Sequence, residues 1–264
     1  MMRAFIAILS CTFLIVSAHA QTITVAAAAD LRPALDEIAS RFQRQSGAKV
    51  NAIYGSSGNF SQQIQNGAPF DLFFSANVEY PRKLENAGLT VPGSYYEYAR
   101  GKIVLLVPMT SKLDLKQGLK ALLDPAIKKV AIAEPSHAPY GQATVAALKA
   151  ENIYDQVSTK LVTGENISQA ASFVLSGAAD AGIVALSLAL SPSIKDQVRF
   201  AEIPGSDYPP IQQACVVLKS SKQQKLALEF ESFVKSEEAT QILRRYGFEV
   251  PAAVKANNKG KPVP

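Results

Sequence analysis

ITVAAAADLRPALDEIASRFQRQSGAKVNAIY, residues 23–54, is the stretch that decides the fold class. Ile23–Ala29 is a short apolar run that reads as a buried strand. Leu31, Leu35, Ile38 and Phe42 then mark one face of a helix. Asp30 before Leu31-Arg32-Pro33 is a helix-start signal, and Gly47 marks the stop. Val50–Tyr54 is a second strand. Strand, helix, strand in that order implies a right-handed crossover and parallel pairing, hence an α/β fold.

The alternation continues outward from this unit. Strands are expected at Asp71–Ser75, Lys102–Val107, Val130–Ala133, Lys160–Val162, Ala181–Leu186 and Gln213–Leu218. Helices are expected through Ile64, around Thr144–Ala150 and at Ile167–Leu175, with one long helical segment over Lys222–Tyr246. A long final helical segment often returns to the lobe that the chain left earlier. The sequence therefore reads as two lobes, each a mainly parallel sheet flanked by helices. Residues 21–102 and 218–264 would form the first lobe and 103–217 the second, with Lys102–Val107 and Gln213–Leu218 as crossing strands. Lys255–Pro264 is polar, with Gly and Pro, and is expected to be loose.

Composition narrows the function. The 264 residues include only two cysteines, Cys11 and Cys215, and two histidines, His19 and His137. A disulfide scaffold, a zinc ribbon, an iron–sulfur centre and a multi-histidine metal site are all excluded. The net charge of +5 is spread along the chain, without the Lys/Arg run that would track a nucleic acid. Residues 1–20 combine Arg3, an uncharged stretch from Ala4 to Val16, and Ala18-His19-Ala20. That is the layout of a secretory signal peptide cleaved after Ala20, and the apolar run is short of the ~20 residues that a spanning helix needs. Export would place the protein where ATP and nicotinamide cofactors are scarce, so no cofactor is expected. Cys215, in the apolar run Ala214–Leu218, reads as core.

In open α/β sheets ligands collect beyond the carboxyl ends of strands, at helix N-termini. Four loops fit that position: Ala28-Ala29-Asp30, Gly55-Ser56-Ser57-Gly58, Ala138-Pro139-Tyr140-Gly141 and Gly164-Glu165-Asn166-Ile167. Taken singly, each is explained by helix capping, with Asp30, Ser57 and Asn166 as caps. Taken together in an exported two-lobed protein, they favour a cleft in which backbone N–H groups hold an anion without Lys or Arg.

Ala26–Leu31, the serine loop Gly55–Gly58 and the block NGAPFDLFFSAN at residues 66–77 resemble the periplasmic molybdate-binding proteins of ABC importers. Ala138–Gly141, Gly177–Ala185 and Arg245-Tyr246-Gly247-Phe248 are similar to the same family in the same order, so the resemblance spans essentially the whole mature chain. It implies a two-lobed periplasmic-binding-protein architecture and a tetrahedral oxyanion, molybdate or tungstate, held by neutral hydrogen bonds without direct metal ligands. Ser57 would donate through its hydroxyl and N–H, and Tyr140 and Ile167 through their N–H groups. Ala29 and Asp30 would close the first lobe's side. A membrane permease is the implied partner and a monomer the implied state.

Two positions depart from the family pattern. Asp30 stands where many members have Ser or Asn: either its carboxylate turns away to cap its helix while its N–H binds, the favoured reading, or it accepts a proton from a hydrogen-bearing anion such as phosphate. Ala185 stands where some carry a ligand-binding Tyr, which the Tyr140 phenol would replace. Sulfate or phosphate remain alternative ligands. A serine hydrolase pairing Ser57 with His137 is disfavoured, because no Gly-x-Ser-x-Gly elbow surrounds Ser57.

Overall fold

Thr22–Ala28 forms strand β1 in this computed structural model, which describes residues 21–251. The expected signal peptide and the polar tail from Lys255 lie outside the described residues. A 3₁₀ turn at Ala29–Leu31 leads into helix α1, Arg32–Ser46. Pro33 suits its first turn, where no N–H is needed, and Gly47 ends it at φ 74° with its N–H on the Gln43 carbonyl at 2.9 Å. Ala34, Leu35, Ile38 and Phe42 are the buried face of α1. Strand β2, Lys49–Gly55, then pairs parallel to β1.

The remaining first-lobe elements before the crossing are α2 (Ser57–Gln65), β3 (Leu72–Ser75), α3 (Glu79–Asn86) and β4 (Tyr96–Gly101). The second lobe comprises β5 (Ile103–Pro108), a 3₁₀ segment at Leu115–Leu123, β6 (Val130–Ala133), α4 (Pro139–Ala150) and α5 (Tyr154–Ser158). It continues with β7 (Leu161–Gly164), α6 (Ile167–Leu175), β8 (Ala181–Ala185), α7 (Leu186–Ala189) and β9 (Val198–Glu202). The chain returns with β10 (Ile211–Val217), α8 (Gln224–Val234) and α9 (Glu237–Arg245).

The two sheets have the orders β2-β1-β3-β10-β4 and β7-β6-β8-β5-β9. In each, one strand, β10 or β5, runs against the other four. The expected lobe boundary needs correction here. The chain leaves the first sheet at Lys102 and comes back through residues 203–210, so Ile211–Val217 belongs to the first sheet and not to a second lobe over 103–217. The two long apolar runs do not span the lobes. Each is an interior strand of one sheet, β5 between β8 and β9 and β10 between β3 and β4, and that burial explains its apolar length. Cys215 lies fully buried within β10.

The expected helix over Lys222–Tyr246 is two helices. Ser236 breaks it by capping α9, accepting the Ala239 N–H at 3.2 Å, with Glu237 and Glu238 favourably placed in the first turn. Helix α8 packs on the first sheet and α9 against α1 and α8, with Phe230 of α8 edge-on to Phe42 of α1 and Phe74 of β3. Ala28, Ala29 and Ala76, at the ends of first-lobe strands, join the apolar core of the second lobe. The lobes are thus closed on each other.

Candidate functional site

All four strand-end loops meet at one small cavity. Ala29, Asp30, Ser57, Tyr140 and Ile167 all line it, with Ala138 and Asn166 beside them. Its small size suits a compact ion. No Lys, Arg or His side chain is in its lining. Among the described residues no cluster of His, Cys, Asp and Glu could hold a metal ion.

Three helices begin at the cavity wall. Ser56, not Ser57, caps α2: its Oγ accepts the Asn59 N–H at 3.4 Å. Ser57 is the first helical residue and fully buried, and its Oγ accepts the Ala76 N–H at 2.9 Å. The Ser57 hydroxyl proton is therefore left to point elsewhere. At α4, Pro139 brings no N–H and the cap residue Ala138 makes no side-chain bond, so the Tyr140 N–H is the first donor of the helix. At α6, the Asn166 Oδ1 accepts from Ser168 at 3.0 Å and Gln169 at 3.1 Å, which leaves the Ile167 N–H without an intrahelical partner. Each helix start adds a partial positive charge.

Hydrogen bonds latch the lobes around this cavity. Gly58 N–H donates to the His137 carbonyl at 3.0 Å, and Ser56 Oγ lies 2.8 Å from His137 Nδ1. Ser168 Oγ donates to the Ala29 carbonyl at 3.1 Å, and Ser187 Oγ to the Asp30 carbonyl at 2.7 Å. His137 thus braces a loop against Ser56 and does not face Ser57, which leaves no Ser57–His137 hydrolase pair.

Asp30 does not cap α1. The 3₁₀ turn carries it inward, and α1 starts at Arg32 with no side-chain cap bond. Its carboxylate is fully buried, with Oδ2 accepting from Tyr140 Oη at 2.8 Å and Gln213 Nε2 at 2.7 Å. Tyr98 Oη in turn donates to Gln213 Oε1 at 2.7 Å. Oδ1 is buried without a partner. Burial pushes the carboxyl up from 3.8 to about 6, against the downward pull of the Gln213 and Tyr140 hydrogen bonds and of the nearby Asp30 and Leu31 N–H groups. The Tyr140 phenol is therefore spent on Asp30, not on substituting for a tyrosine at Ala185, which lies buried at the end of β8. Gly101 makes room for that phenol, since a Cβ there would fall 2.0 Å from Tyr140 Oη.

Residues 23–249 match the bacterial extracellular solute-binding proteins. The chain belongs to that family. It is 38% identical over 232 residues to the molybdate-binding protein ModA of Azotobacter vinelandii, covering 88% of this chain and 91% of that one. The Rhodobacter capsulatus ModA is 37% identical over 88% of this chain and 89% of its own length. The solved structure of the Azotobacter vinelandii periplasmic molybdate-binding protein superposes with a TM-score of 0.82 at 35% identity, covering 87% of this chain and all of that one. These relatives carry the names of molybdate-binding proteins.

In this solute-binding protein, sequence reasoning placed five residues at the cavity but missed the polar groups behind it. Gln213 and Tyr98 were absent from the expected site. A signal for Gln213 existed: it is an amide leading directly into an apolar run, and a buried polar group in such a run must find partners. Ser168 and Ser187 carried no such signal, because helix serines are common and their carbonyl partners come from the other lobe.

Proposed function

We propose that this protein captures molybdate, with tungstate as a near-equivalent, in the closed interlobe cavity and delivers it to the membrane permease of an ABC importer. It acts as an exported monomer whose signal peptide is cleaved after Ala20, and no chemical step is involved. One observation carries the reading. A compact cavity is walled by helix starts from both lobes, with Ser57, Tyr140 and Ile167 as neutral donors and no cationic side chain. Such a wall suits a fully ionised oxyanion, because Ser57, Tyr140 and Ile167 all present donors to it. The named relatives at 37–38% identity support the same ligand.

Ser57, Tyr140 and Ile167 supply donors from the two sides, while Ala29 and the Asp30 backbone seal the first lobe. Sulfate carries the same charge but is smaller, and would leave some donors stretched. Calorimetric titration of the mature chain with molybdate, tungstate, sulfate and phosphate tests the proposal. Molybdate and tungstate should bind tightly and sulfate more weakly, and preference for phosphate or sulfate would overturn it.

A further inference from the structure

The Asp30 carboxyl is the one group at the cavity that donor-only recognition of a dianion does not explain. Asp30 lines the cavity, its side chain is fully buried, and Oδ2 accepts two hydrogen bonds while Oδ1 has no hydrogen-bond partner. The groups packed against it are all neutral. Strand β10 brings Gln213, helix α4 brings Tyr140, and β4 brings Tyr98 behind Gln213. Burial holds both tyrosines well above their ordinary pKa, so they remain donors. Ser187 from α7 and Ser168 from α6 bind backbone carbonyls of Asp30 and Ala29 and leave the carboxyl alone. Arg32, two residues along, lies over the Tyr54 ring, with its guanidinium carbon 4.2 Å from the ring centroid.

We propose that Asp30 binds the anion as a neutral carboxylic acid, donating from Oδ1, so that each dianion captured brings one proton into the site. This rests on reading the cavity as a dianion site. The proton comes from solvent onto Oδ1 as the lobes close and returns to solvent when the anion leaves. Three features require it. An ionised carboxylate and a dianion sharing a dry cavity repel strongly. No Lys, Arg or His side chain lines the cavity to screen them. Oδ1 is the free position, while Oδ2 already accepts two hydrogen bonds and needs no proton. Burial in the closed form has already brought the carboxyl to about 6, and a neighbouring dianion pushes it in the same direction.

The proton also sets selectivity. The protonated form offers one O–H donor at Oδ1 and fits an oxyanion with no hydrogen. The ionised form offers a buried acceptor, which a hydrogenphosphate hydroxyl would satisfy. Asp30 thereby becomes a specificity-determining residue for the proposed ligand.

Calorimetry of the mature chain with sodium molybdate, in two buffers of different ionisation enthalpy at about pH 8, counts the protons taken up. The expected result is close to one proton per molybdate, with Kd weakening about tenfold per pH unit above neutrality. Asp30→Asn should take up none and show a flat Kd. His137→Gln, which alters a side chain beside the cavity that contacts Ser56 and not Asp30, should keep the uptake, and serves if Asp30→Asn does not fold. Molybdate binding by the unmodified protein with no uptake and a flat Kd overturns the proposal while leaving the molybdate reading intact. Uptake that persists in Asp30→Asn, or vanishes in His137→Gln, assigns the proton elsewhere and also overturns it. Absence of molybdate heat at any pH overturns the functional reading itself, and this inference with it.

Discussion

Replacing Gly58 with Ala should raise stability and weaken binding at once. Gly58 lies in the first turn of α2, in the first lobe, and its N–H bonds the His137 carbonyl of the second lobe at 3.0 Å. A methyl group there would sit 2.7 Å from that same oxygen, and 3.0 Å from both His137 Cβ and Tyr80 Oη. Tyr80 belongs to the same lobe and the end of its ring can swing aside. The His137 carbonyl is backbone, and clearing it means parting the lobes by several tenths of an ångström. Gly58 is not among the glycines with positive φ, so alanine suits its backbone. With the lobes apart the substitution therefore only removes unfolded-state freedom, worth about 0.4–1 kcal/mol, or about 1–4 °C in Tm. With the lobes closed it overpacks the seam, at about 1–3 kcal/mol. That weakens Kd by roughly 5- to 150-fold. A thermal melt of the free variant and a calorimetric molybdate titration read the two effects separately. A higher Tm with an unchanged Kd would mean that the ligand-bound lobes do not meet at Gly58 and His137, and the closed arrangement described above would be wrong.

Ser57→Ala should cost about 1.5–3 kcal/mol of molybdate binding by removing a donor to a charged ligand. It should also lower stability by about 1–3 kcal/mol, because the buried Ala76 N–H loses its acceptor; wild-type affinity would remove that loop from the site. Asp30 titrates at about 6 in the fold against 3.8 for the free side chain, so between those values the folded protein binds more protons than the unfolded chain. Its contribution to stability therefore falls as pH rises through that window, by about 3 kcal/mol in all. Urea melts should show Asp30→Asn more stable than wild type at about pH 8, with the advantage gone by about pH 4; a difference that does not change with pH would refute the buried-charge account. Small-angle scattering should show a smaller radius of gyration with saturating molybdate, as ligand contacts made only in the closed form favour closure; an unchanged radius counts against a closing cleft.

Much of this was legible because strand ends are written in small residues. Ala28-Ala29 and Gly55-Ser56-Ser57-Gly58 follow apolar runs, and the cavity walls follow from them. Illegible parts depend on contacts distant in sequence. Asp30 carries a sound local capping signal, yet its partners Tyr140 and Gln213 are 110 and 183 residues away, and no local rule sees them. Ser56 and Ser57 satisfy the capping rule equally; the Ala76 N–H, from the neighbouring strand end, claims the second. Strands β4 and β9 are half-exposed sheet edges with mixed polarity, so neither run stood out. The lobe return was readable but passed over: Ile203-Pro204-Gly205-Ser206-Asp207-Tyr208-Pro209-Pro210 has the punctuation of a linker. The apolar strand after it drew the boundary too far along.

The division of the helix starts between the lobes explains how such a site can couple capture to closure. Helix α2 belongs to the first lobe, and α4 and α6 to the second. Each N-terminus is equivalent to roughly half a positive charge. An open lobe offers the anion one or two such ends, and only the closed cavity offers all three. The anion therefore has the differential affinity for the closed form that a shift in population requires. Backbone dipoles do this without a flexible, strongly hydrated cation, so selectivity comes from fixed geometry. The same arithmetic shows why the state of Asp30 matters. Three helix ends supply about one and a half positive charges, and one ionised carboxylate in the same cavity cancels about two of the three ends. At 4 Å and an effective dielectric constant near 20, its repulsion of a dianion is on the order of 8 kcal/mol. Protonating a carboxyl that titrates at about 6 costs less than 3 kcal/mol at about pH 8. The proton is the cheaper solution by a wide margin, and it turns the Asp30 carboxyl from an acceptor into a donor toward the anion.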